Sequence, residues 1–148
     1  MKSMHKCRPG AVLLVASAIT AAAAQAPPGQ RELHAAECVA ALKVNTESLA
    51  INVKAGRSDL RPLLLTRLQA GTAFVGDTFL HDDQDEQRAR ALTDEALERQ
   101  KSLTEAQLAA RQAFCADEGA RLLASANAIE RVVVNRLARK RMDRLLGS

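Results

Sequence analysis

Two cysteines constrain this chain more than any other feature. Cys38 and Cys115 lie 77 positions apart, and each falls on a helical stripe of apolar residues. The first stripe reads Ala35, Cys38, Leu42, Leu49 and Val53, with Asn45 in the same row. The second reads Leu108, Cys115, Gly119, Leu122, Ala126, Ile129, Val133 and Leu137. Steps of three, four or seven residues place these side chains on one face of an α-helix. Two core-facing cysteines on two helices predict that those helices pack side by side and are joined by one disulfide. Closing so long a loop stabilises a fold by about 4.5 kcal/mol in chain-entropy reasoning.

A disulfide needs an oxidising compartment, and the N-terminus supplies the route to one. Lys2, Lys6 and Arg8 precede an uncharged run, Ala11 to Ala23, that carries Val12, Leu13, Leu14, Val15 and Ile19. Ala22-Ala23-Ala24 then offers a small-residue cleavage pattern. This three-part order is that of a secretory signal peptide, expected over residues 1–24 with cleavage after Ala24. The run falls short of the roughly 20 residues that span a bilayer. The expected location is periplasmic or secreted. Cys7 leaves with the leader, so Cys38 and Cys115 are the two that remain to pair. Residues 25–30, "QAPPGQ", read as a disordered linker, and residues 31–146 as a single helical domain.

The core must be built without large rings, because the chain has three Phe and no Tyr or Trp. Ala, Leu and Val fill helix–helix seams well. The expected fold is all-α, a single small antiparallel bundle of about four helices linked by the disulfide. The first helix begins near Arg31 and stops at Gly56. The second takes Ser58-Asp59 as its N-cap and holds Pro62 in its first turn. One face carries Leu60, Leu64, Leu68, Gly71, Val75 and Phe79; Gly71 and Gly76 either break this helix or let a neighbour approach. The third helix, 85–101, is highly charged, with Ala89, Leu92, Ala96 and Leu97 as its buried residues. The fourth opens on a capping box, Thr104 with Gln107, and its stripe runs unbroken through Leu137.

Charge narrows the functions. Loss of the leader removes three cations and takes the formal net charge from +4 to +1. A nucleic-acid binder usually keeps a strong basic excess, so no nucleic-acid partner is expected. Basic residues do gather in one place: Arg131 to Arg144 holds five Arg and Lys140 against Asp143. Arg136, Arg139, Lys140, Arg141 and Arg144 form a candidate partner surface. A second stripe there, Val134, Ala138, Met142 and Leu145, is interrupted by Arg141 and lacks aromatics, which disfavours a membrane-surface role. The acidic stretch from Asp77 to Glu98 has the opposite sign and can face this tail within the bundle or across two copies. Exposed pairs of that kind contribute about 0–1 kcal/mol each.

Motifs for chemistry are scarce. His34 with His81 and Asp82 or Asp83 suits a metal only if the fold joins them. The sequence has no Cys-x-x-Cys, no haem-attachment motif, no G-x-S-x-G and no phosphate loop. No enzyme activity, cofactor or metal is expected. The expected function is a non-enzymatic binding or interaction protein of the cell envelope, whose partner is another envelope protein or a second copy of itself. The alternative is a carrier of a small apolar ligand in an interhelical cavity, left open by the glycines of the second helix.

Overall fold

The computed structural model describes residues 28–79 and 85–147. The leader, most of the linker and His81 lie outside the described residues. The described residues form five α-helices: α1 Gln30–Lys54, α2 Arg61–Phe79, α3 Asp85–Gln100, α4 Glu105–Ser125 and α5 Ala128–Leu146. Among the described residues there is no strand, as the sequence predicts. No described helix is long and apolar enough to cross a membrane.

Several helix ends have a local cause. At the start of α1 the Glu32 carboxylate accepts from the Gly29 N–H at 2.8 Å. It also receives two bonds from the Arg88 guanidinium on α3, at 2.8 and 2.9 Å. At its end Gly56 takes φ +104°, the left-handed conformation that favours glycine. The Gly56 N–H bonds to Val53 O and the Arg57 N–H to Asn52 O, the Schellman pattern. Ser58 and Asp59 do not cap α2. They open a 3-10 turn, Ser58–Leu60, that leads into it, and Asp59 is held by Arg57 at 2.9 and 3.0 Å. Helix α2 continues through both Gly71 and Gly76.

The expected single fourth helix is two helices. Helix α4 begins as predicted, with the reciprocal box between Thr104 and Gln107. At Ala126 the backbone turns extended, with ψ 151°. Asn127 then caps α5: its Oδ1 accepts from the Ile129 and Glu130 N–H groups, while Glu130 accepts from the Asn127 N–H, all at 2.9 Å. Arg131 donates back to Ala126 O at 2.8 Å, satisfying a carbonyl that α4 leaves open.

Helix α2 packs against α1, α4 and α5, and α1 packs against α2, α3 and α4. Arg31 meets Asp77, so α1 and α2 are antiparallel. Helices α1 and α4 are antiparallel too, because Cys38 is bonded to Cys115 while Asn45 meets Gln112 and His34 meets Glu118. The core has two parts. One surrounds the disulfide, with Leu42, Ala70, Phe74, Phe79, Leu92 and Ala116. The other lies at the opposite end of α1 and α2, with Leu49, Leu64, Leu68, Ala138 and Met142. Gly119 lets α4 come close to α2: a Cβ there would sit 2.7 Å from Ala70 Cβ.

Burial corrects one stripe. Ile129, Val133 and Leu137, expected in the core, are 77, 46 and 44% exposed. The inward stripe of α5 is Val134, Ala138 and Met142. On α3, Gln100 is buried where no polar residue was expected, and its amide donates to Glu37 O at 2.9 Å.

Candidate functional site

Helix α5 lies antiparallel to α2, with Asn135 accepting from Gln69 at 2.8 Å on one flank of the seam. The other flank is a groove. Along α5 it is walled by Ile129, Val133, Leu137, Arg141 and Arg144, at steps of four, four, four and three. These share one side of a helix. Along α2 its floor is made of small residues, Gly71, Thr72, Ala73 and Gly76. A Cβ on Gly76 would meet nothing within 4 Å, so this stretch of floor is empty space.

The groove has two halves that meet at Thr72 and Leu137. The half of about 330 Å³ is apolar, lined by Ala73, Leu122, Leu123, Ala126, Ile129 and Val133, with Asp77 and Glu130 at its edge. The half of about 460 Å³ opens between α1, α2 and α5. Its floor is Val39, Leu42, Leu68 and Val75, and its rim carries Lys43, Arg67, Arg90, Arg141 and Arg144 with one carboxylate, Glu86. Glu86 is paired with Arg90. Among the described residues, Lys43, Arg67, Arg141 and Arg144 have no carboxylate within ion-pair distance. Gathering like charges without counter-ions destabilises the free protein, and an anion bound among them relieves that cost.

The candidate tail surface is therefore divided. Arg141 and Arg144 line the groove, whereas Arg136, Arg139 and Lys140 are exposed on other faces of α5. The acidic stretch does not pair with the tail among the described residues: Asp77 meets Arg31, Glu95 meets Arg99 and Glu98 meets Lys101. Lys43 and Arg67 escaped the sequence reading, because only the approach of α1 and α2 to the end of α5 brings them to Arg141.

A second cleft, about 500 Å³, opens over the disulfide between α1 and α4. His34 Nε2 lies 2.8 Å from Glu118 Oε2 and 4.0 Å from Cys38 Sγ. The imidazole stands edge-on to Phe74 and Phe114, with ring centres 6.1 and 6.2 Å away. His34, Cys38 and Glu118 offer ligand atoms within 4.8 Å of one another. The Cys38 sulfur is already bonded to Cys115, however. That leaves two metal-binding groups in the trio, fewer than the three or four protein ligands of a zinc site.

Comparison of the chain with family models, with curated proteins and with solved structures gives no match. The chemistry of the two clefts therefore carries the functional argument, and the α2–α5 groove is the better candidate because Lys43, Arg67, Arg141 and Arg144 on its rim meet no carboxylate among the described residues.

Proposed function

We propose that this chain is a non-enzymatic exported binding protein that takes its ligand in the α2–α5 groove. One observation carries the reading: an apolar recess continues into a rim bearing four cations that have no carboxylate partner among the described residues. Export rests on the leader-like N-terminus and the Cys38–Cys115 bond. The small-residue floor supports a recess rather than a filled seam, since a Cβ on Gly76 would meet nothing within 4 Å. Concave, mostly apolar sites with a few convergent polar groups are the usual form of a ligand site.

A second reading keeps the same helix and changes the occupant. Val132, outside the groove, is 66% exposed, and Ile129 at the groove's end is 77% exposed. Together with Arg136, Arg139 and Lys140 they favour docking of another envelope protein or a second copy of the chain. Photo-crosslinking in intact cells separates the readings. A benzophenone side chain at Leu137 is compared with one at Ala106, exposed on the first turn of α4. An adduct of a few hundred daltons at Leu137 alone supports a small ligand, and a protein-sized adduct supports docking. The absence of any adduct specific to Leu137 refutes both.

A further inference from the structure

The groove is chemically lopsided along its length. Leu122, Ile129 and Val133 stand at one end, and Arg67, Arg141 and Arg144 at the other. Resting on the reading of this groove as the ligand site, we infer that it holds a free single-chain amphiphile with an anionic head, a carboxylate or a phosphate. The tail lies toward Ile129, and the head lies among Arg67, Arg141 and Arg144.

Neither half explains the other under a simpler ligand. A small anion needs the cations but leaves the apolar half idle. A neutral apolar ligand fills that half but leaves Arg141 and Arg144 without a counter-ion among the described residues. An amphiphile satisfies both, in one orientation. Guanidinium groups present a planar fork of donors that matches carboxylate and phosphate oxygens alike. The span from Ile129 to Arg144 on α5 is about 22 Å at a rise of 1.5 Å per residue, long enough for one extended alkyl chain and its head. The apolar half of about 330 Å³ holds roughly eleven water-sized groups at about 30 Å³ each, close to the same number of methylenes. That volume matches one chain of about ten carbons better than the two longer chains of a phospholipid. The apolar side chains also line a recess instead of a flat face, which argues for a monomer in solution over a bilayer surface.

The chain has no Trp and no Tyr, so a fluorescent reporter is read without protein background. The probes are dansylaminoundecanoate, the alcohol of the same length and dansylglycine, titrated into delipidated, disulfide-bonded protein. Dodecanoate, dodecyl phosphate and vesicles of anionic phospholipid serve as competitors. The undecanoate is expected to bind at least about tenfold tighter than the alcohol, the worth of one charge-assisted hydrogen bond. Both single-chain anions displace it, and each added methylene tightens binding by up to about fourfold until the groove is full. Arg141→Gln with Arg144→Gln weakens the anion about 30–100-fold and leaves the alcohol within about threefold. Val133→Asp weakens both. These three positions are solvent-facing on α5 or nearly so, and unchanged far-ultraviolet circular dichroism confirms that the variants fold.

Equal binding of alcohol and carboxylate overturns the inference. So does dansylglycine binding as well as the long chain, or displacement by vesicles alone. If no amphiphile binds while the crosslinker at Leu137 still yields its specific adduct, the ligand class falls and the groove reading stands. If the adduct is absent too, both fall.

Discussion

Gly119→Ala is the substitution that most directly tests how this bundle is packed. Two effects of opposite sign compete. Replacing glycine by alanine inside a helix favours folding by about 0.8–1.0 kcal/mol. At position 119 the new methyl carbon would lie 2.7 Å from Ala70 Cβ, 2.8 Å from Ala70 Cα and 2.8 Å from Ala70 O. Two of those atoms are backbone, so no side-chain rotation relieves the contact, and α2 must move away from α4. Overpacking costs about 1–3 kcal/mol, and a backbone clash places this case near the top of that range. The net expectation is a loss of about 2 kcal/mol, or roughly 6–10 °C in melting temperature for a domain of this size. Two sites in the same fold serve as controls. A Cβ at Gly76 meets nothing within 4 Å, and one at Gly71 meets only Leu42 Cβ and Cδ1, at 3.8 and 3.9 Å. Alanine at either is expected to stabilise by about 0.5–1 kcal/mol. Urea unfolding of the oxidised protein, followed at 222 nm, gives all three values on one scale. Adding Ala70→Gly to Gly119→Ala removes the shortest contact and recovers about 1 kcal/mol as a coupling term. If Gly119→Ala matches Gly76→Ala within about 0.5 kcal/mol, the close approach of α2 and α4 is wrong.

Three further perturbations address the covalent tie, the electrostatics and the helix break. Replacing Cys38 and Cys115 by serine is expected to cost up to about 4.5 kcal/mol; free thiols detected on the folded natural protein would falsify the bond. Glu32 is held below the usual carboxylate range first by the Arg88 hydrogen bond and then by the Gly29 N–H. Because its folded value is depressed, its contribution is present above the unfolded value of about 4.3 and disappears as pH falls through the folded one. Glu32→Gln should therefore be less stable than the natural chain at neutral pH and converge with it in acid; a gap constant down to about pH 2 refutes the assignment. Asn127→Ala removes the cap of α5 and should cost about 1 kcal/mol, with Asn127→Asp close to neutral. Equal stability of the alanine and aspartate variants would show that the cap contributes nothing.

The sequence made some elements readable because the signal and the structure are local to the same residues. Thr104 with Gln107 is a reciprocal pair of hydrogen bonds within one turn, and α4 starts there. Gly56 supplies a conformation that other residues avoid, and α1 stops there. The cysteines were readable for another reason: each sits in phase with buried neighbours on its own helix, so both had to face the interior. The continuity of α2 through Gly71 and Gly76 was not readable. A glycine weakens a helix but does not end one when packing on three sides supports it. Gln100 was missed because its burial is set by α1, whose Glu37 carbonyl accepts from its amide.

The break between α4 and α5 escaped for a reason that also explains the groove. Periodicity detects phase, and the stripe from Leu108 to Leu137 keeps helical spacing across residues 126 and 127, where the helix stops. The local signal was present as Asn127 with Glu130, an asparagine form of the capping box. Once the chain turns there, α5 sets off in a new direction, and the same phase no longer faces the same core. Val134, Ala138 and Met142 turn inward, the last two against Leu64 and Leu68. Ile129, Val133 and Leu137 swing to the flank and become one wall of the groove. The residues that continue that wall are Arg141 and Arg144. An apolar stripe that ran into charge was readable in the sequence only as a candidate partner surface. With the break in place, it is the change from apolar to basic along one side of a single cleft.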